Sequence, residues 1–147
     1  MIKEFFLDKF EYDLRSNERW VKTMLEHENE LPQSVIKSFS HIINVHHIWI
    51  SRILEQPIES NSWETLPIDY WIKLVQENYL KTEDCLEKNE FDGKIEFTSE
   101  EGVPLEKDII DILYHILNHS NYHRGQISLE LKNAGIQPPV FNFISYK

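Results

Sequence analysis

Apolar residues recur at helical spacing along most of the chain. Phe6, Phe10, Leu14, Val21, Met24 and Leu25 follow it for much of the opening stretch, which predicts a first helix over about residues 2–28. Pro32 interrupts. Val35, Ile36, Phe39, Ile43, Ile50 and Leu54 then predict a second helix over about 33–55. Residues 56–67 hold Pro57, Ser60, Asn61 and Ser62 and read as a loop. A third helix is expected from Pro67, since proline is favoured in a first helical turn, to about residue 88 through Ile68, Trp71, Leu74, Val75, Asn78 and Leu86. Around Asp92 and Gly93 the pattern becomes turn-like. Residues 94–98 alternate as a strand does, and Gly102 is placed to close a small hairpin. The fourth helix is expected from about Pro104 to a C-cap at Gly135, with Leu105, Ile109, Ile112, Leu113, Ile116, Leu117, Ile127 and Leu131 as its apolar stripe. The tail 136–147 carries Val140, Phe141, Phe143 and Ile144 and should pack back on the helices. The expectation is an all-α, antiparallel four-helix bundle with a short hairpin or irregular segment before the last helix.

Length and charge narrow this further. The 147 residues suit one domain spanning 1–147. A net charge of −10 disfavours nucleic-acid backbones and anionic membrane surfaces as partners. The longest charge-poor run, 38–51, is shorter than the about 20 apolar residues a membrane span needs, and it contains three histidines. Cys85 is the single cysteine and reads as a small core or surface residue; no intrachain disulfide can form. Lys3, Glu4, Asp8 and Lys9 break up any apolar signal-peptide core. A cytoplasmic location is the expectation.

The chemistry lies in the histidines. His115, His119 and His123 follow one another at four-residue steps, and His41, His46 and His47 cluster in the second helix. Imidazoles at i and i+4 share a helix face and can reach one ion. Three in a row cannot, because His115 and His123 stand about 12 Å apart along the axis. One ion would take His115 with His119, or His119 with His123. A further ligand must come from another helix. His41 is the candidate there, on an inward stripe with Val45, Ile48 and Trp49. His46 and His47 point about 100° apart and, with His27, are expected at the surface. A single histidine on an apolar face is more often a hydrogen-bonded core residue than a ligand; two helices that each turn histidines inward favour a metal. The sequence has no HExxH, no GxSxG, no Walker loop, no GxGxxG and no Glu-x-x-His of the di-iron bundles.

The stretch LYHILNHSNYHRGQI, residues 113–127, contains NHxxxHRGQ from Asn118 to Gln126. It resembles the hallmark of the DinB/YfiT-like family of metal-dependent proteins. SHIINVHHIWISRI, residues 40–53, is similar to that family's second-helix motif, with His41, Trp49 and Arg52 at the matching places. The first helix, with Phe10, Tyr12 and Asn17, and the tail AGIQPPVFNFISY also look similar. The resemblance implies a four-helix bundle and a metal held by His41, His119 and His123, which resolves the choice left open by spacing. It implies one divalent ion, zinc or nickel before others, and often a homodimer. It implies an enzyme acting on a small-molecule substrate: a thiol-dependent S-transferase using bacillithiol, mycothiol or glutathione, a related hydrolase, or an isomerase of maleylpyruvate. The alternative is a non-catalytic metal-binding or stress-response bundle. Two positions depart from the family pattern: Asn142 stands where an Asp is frequent, and Tyr122 where a further His is frequent.

Around the ligands, Gln126 and Tyr122 are the candidates for catalytic or orienting roles, and Asn118 for a hydrogen bond to a ligand. Arg124 is expected to cap or pair at the surface, the alternative being to bind a carboxylate of the thiol, and Gly125 to permit close helix approach. His115 reads equally as a neighbour of the site or a core residue. Trp49 and Trp71 read as core fillers.

Overall fold

The computed structural model describes residues 1–88 and 91–147. Helices α1 (Ile2–Glu26), α2 (Gln33–Leu54), α3 (Trp71–Lys88) and α4 (Ile109–Asn133) form the bundle. A hairpin of β1 (Lys94–Thr98) and β2 (Pro104–Asp108) precedes α4, and a short helix α5 (Phe143–Tyr146) closes the chain. In α1 and α3 the buried positions fall on one face, Phe6, Phe10, Leu14, Val21 and Met24 in α1 and Trp71, Val75, Asn78, Thr82, Cys85 and Leu86 in α3, whereas the middle of α2 is buried all round from Phe39 to His46. Leu25, placed on the apolar stripe by spacing, is 40 % exposed, because Met24 beside it takes the inward direction.

The apolar core has two parts. One gathers Phe6, Phe10, Ile50, Ile53, Leu86, Ile109, Ile112 and Ile116. The other gathers Val21, Met24, Phe39, Ile43, Trp71, Val75, Ile127 and Leu131. Early residues of α1 and α4 therefore sit with late residues of α2 and α3, so α1 and α4 run one way and α2 and α3 the other. That order needs a long crossover between α2 and α3. Residues 55–70 supply it, and they run past His41. Between the two apolar parts lies a buried polar layer: Asp13, Asn17, Asn44, His46, Asn78, Thr82, Ser120 and Arg124.

Helix ends follow local chemistry. Gly135, at φ 80°, closes α4: its N–H donates to the Lys132 carbonyl at 3.0 Å, and that of Ile136 to the Leu131 carbonyl at 2.9 Å. The third helix starts later than Pro67 implies, after a 3-10 turn at Ile68–Tyr70. The fourth starts at Ile109, not Pro104. Pro104 opens an edge strand instead, and Leu105 faces Phe97 across the antiparallel pair. A proline without an N–H suits either a helix start or a strand start, and the strand wins because β1 is there to pair. A Cβ at Gly125 would meet nothing within 4 Å, so no close helix approach depends on that glycine. The tail packs on α1 as expected: Tyr12 stacks on Phe141 with ring centroids 5.5 Å apart and donates to its carbonyl at 3.2 Å.

Two residues expected at the surface are buried. Arg124 is 5 % exposed, and its Nη1 donates to Asp13 Oδ1 and Asn17 Oδ1, both at 2.8 Å. His46 is 6 % exposed, with Nε2 2.8 Å from Thr82 Oγ1. Each is satisfied by partners far along the chain, which is what lets a polar side chain stay inside. Burial holds the His46 pKa down at about 4, against an opposing pull from Asp13. The unfolded chain therefore binds a proton between pH 6.5 and about 4 that the native state refuses. This residue's share of stability is complete above pH 6.5 and falls by about 1.4 kcal/mol per pH unit below it. Urea unfolding of metal-free protein at pH 7 and pH 5 is expected to show a loss about 2 kcal/mol larger in the wild type than in His46→Gln. Equal losses would show that His46 is not buried neutral.

Candidate metal centre

His41 reaches the site from α2, and His119 and His123 from α4, which lies against α2. One ring nitrogen from each falls within 4.8 Å of those of the other two. Among the described residues this is the one group of three or more His, Cys, Asp or Glu that could hold an ion. His41 and His119 approach with Nε2 3.0 Å from Nε2. The ring centroids of His119 and His123 lie 4.4 Å apart, and those of His41 and His123 4.9 Å apart. His115 stays outside the group. Its ring is 5.7 Å from that of His119 and packs edge-on to Trp49.

The second ring nitrogens of His41 and His123 are held. His41 Nδ1 lies 2.6 Å from the Ser62 carbonyl oxygen, which can only accept, so Nδ1 carries the proton and Nε2 presents a lone pair. His123 Nδ1 lies 2.9 Å from Gln126 Oε1, which turns its Nε2 into the free acceptor in the same way. Gln126 Nε2 donates in turn to the Tyr122 hydroxyl at 3.2 Å. The crossover is tied down here as well: Asn44 Nδ2 donates to the Glu64 carbonyl at 2.7 Å, and the Leu66 N–H to Ser40 Oγ at 3.0 Å. Trp63, carried by this segment, lies flat on His41 with centroids 3.6 Å apart.

Electrostatics keep the cluster neutral. Burial first, then the neighbouring His123, His41 and His115, hold the His119 pKa down at about 3. Burial lowers that of His41, partly offset by the Ser62 carbonyl. It lowers that of His123, partly offset by Gln126. Neutral imidazoles are the ligand form.

This donor set decides the family question together with the sequence around it. The sequence model of the DinB family matches residues 15–147. The chain belongs to the DinB family. Among curated proteins, none matches the sequence. The two stretches that resembled the DinB pattern, 40–53 and 113–127, are the ones that bring His41, His119 and His123 together.

The remaining candidates divide between two faces of α4. Tyr122 and Gln126 stand beside His123 at the rim, both exposed. Asn118 faces the other way, into a cavity of about 440 Å³ between α1, α4 and the tail, which Arg124 and Asn142 also line. It does not meet the three histidines. Trp71 is fully buried, as expected of a core filler, while Trp49 is half-buried between His115 and Phe97. His47 is half-buried, its Nε2 accepting from the Glu59 N–H at 2.9 Å, and His27 lies beside Glu30. Sequence reasoning missed Ser62 and Trp63. A backbone carbonyl and a loop tryptophan leave no spacing signal. No helix among the described residues is long and apolar enough to cross a membrane.

Proposed function

We propose that this DinB protein is a divalent-metal-dependent enzyme acting on a small electrophilic molecule, with the ion on His41, His119 and His123. The observation that carries the reading is the 3.0 Å approach of two Nε2 atoms, one of which presents a lone pair because its ring proton is fixed on the Ser62 carbonyl. Neutral imidazoles so placed fit a borderline cation such as zinc or nickel. A cation with three protein ligands supplies Lewis acidity to a water or a thiol at its open position.

The chain's own residues orient and shield. The Ser62 carbonyl and Gln126 fix the ring tautomers of His41 and His123, as partners of metal-binding histidines do. Trp63 covers one side of His41 and keeps water from it. Tyr122 accepts from Gln126 and stands at the rim, where an incoming molecule passes. Gln126 and Tyr122 are therefore positioning residues in this reading. The small thiol is the cosubstrate that best suits such a centre, since the thiolate is the nucleophile in S-transfer.

The test is turnover of zinc- and nickel-loaded protein with glutathione or cysteine and an aryl chloride, and with an activated ester for hydrolysis. Rates should depend on the protein-bound metal, vanish in His41→Ala, and fall about 10–100-fold in Gln126→Ala. Rates unchanged by chelator or by His41→Ala would leave a non-catalytic metal-binding bundle.

A further inference from the structure

Arg52 is a half-buried cation held by aromatic rings. Among the described residues no Asp or Glu makes an ion pair with it, in a chain whose 25 acidic residues outnumber its 15 Lys and Arg. Glu100 is the acid whose field it feels, against a stronger effect of burial. Two aromatic rings hold it instead. The guanidinium carbon lies 4.6 Å from the centroid of Trp49 and 4.5 Å from that of Phe97, and these rings meet at 88°. Because the two rings are perpendicular, the guanidinium can lie flat on at most one of them, and the part of its N–H fork that is not aimed at a ring is left for a planar anion. An arginine fixed in this way loses little freedom when it binds one.

Its place on the molecule gives the fork a use. Trp49 touches His115, with centroids 5.9 Å apart, and His115 touches His119. A continuous aromatic strip therefore joins Arg52 to the three-histidine cluster. His41 and Arg52 stand eleven positions apart on α2, about 16 Å of axial rise. The Arg52 side chain leans back over Trp49, which shortens that gap.

We propose that Arg52 anchors the carboxylate or phosphoryl group of an elongated small molecule that lies along the Trp49–His115 strip toward the histidine cluster. The direction of the ligand rests on the metal-dependent reading above; the anion site itself does not. A substrate or thiol cosubstrate of this class would carry its anionic group on the order of 10–16 Å from the atom that meets the metal.

The experiment follows the Trp49 indole N–H by NMR, assigned with Trp49→Phe, in full-length metal-free protein titrated with succinate, inorganic phosphate and chloride at constant ionic strength. Succinate or phosphate should shift the resonance saturably, and the stronger of the two identifies the headgroup. Arg52→Gln should weaken that binding at least 10-fold, and Arg52→Lys should restore part of it while the fold is checked by circular dichroism. An equal response to chloride, or an unchanged response in both Arg52 variants, overturns the proposal. Metal uptake by the same samples is read separately. An anion site in a protein that takes up no zinc would leave Arg52 in place and remove the catalytic reading; zinc uptake with no anion site would do the reverse.

Discussion

Replacing His119 with alanine is expected to abolish metal-linked stabilisation without unfolding the protein. His119 is the middle member of the cluster, its ring within 4.7 Å of His41 and 4.4 Å of His123. A ligand that binds only the native state stabilises it by about 4 kcal/mol at a thousandfold excess over its dissociation constant. Zinc added to the wild type should give a gain of that order in urea unfolding. His119→Ala should give none. Without metal the variant should stay within about 1 kcal/mol of the wild type, because the lost imidazole faced other imidazoles rather than filling the core. The combination separates a ligand from a packing residue. A destabilised variant that still gains from zinc would make His119 structural.

Asp13→Ala should be the most damaging single substitution in the polar layer, at about 3–5 kcal/mol. Asp13 is 2 % exposed, and its carboxylate faces Arg124 at 2.8 Å. Truncation leaves a buried guanidinium with Asn17 as its one remaining hydrogen-bond partner among the described residues. Replacing both, as in Asp13→Leu with Arg124→Met, should recover most of the loss, since an apolar pair carries no desolvation penalty. Urea denaturation measures all three variants. A loss below about 1 kcal/mol for Asp13→Ala would show that the pair is not buried in solution. Arg124 directly follows His123, so the pair also pins the rotation of α4 that aims His119 and His123 at His41. Weaker zinc binding is expected to accompany the loss of stability.

The helices were legible because their apolar positions repeat at 3.6 residues; among the histidines, spacing reached only a pair one turn apart that includes His119, and the resemblance of residues 113–127 to the family motif chose His123 over His115. The hairpin showed as alternation over 94–98. The start of α4 did not show, because Leu105 and Ile109 continue the helical spacing backward into β2 and only pairing with β1 decides the matter. Arg124 and His46 could not be placed inside from identity alone. Burial of each depends on a partner that folding brings up, Asp13 from 111 positions away and Thr82 from 36. The parallel run of α2 and α3 was equally hidden: it follows from how far residues 55–70 reach, and loop composition does not report reach. That same crossover delivers Ser62 and Trp63 to His41, so the part of the site that sequence could not show is the part made by the loop.

Metal content per chain, measured by elemental analysis on protein purified without a histidine tag, tests the central claim most directly. About one divalent ion per chain in the wild type and in His115→Ala, and none in His41→Ala or His123→Ala, is the predicted result. Full metal content in the His41 and His123 variants, or its loss in His115→Ala alone, would contradict it.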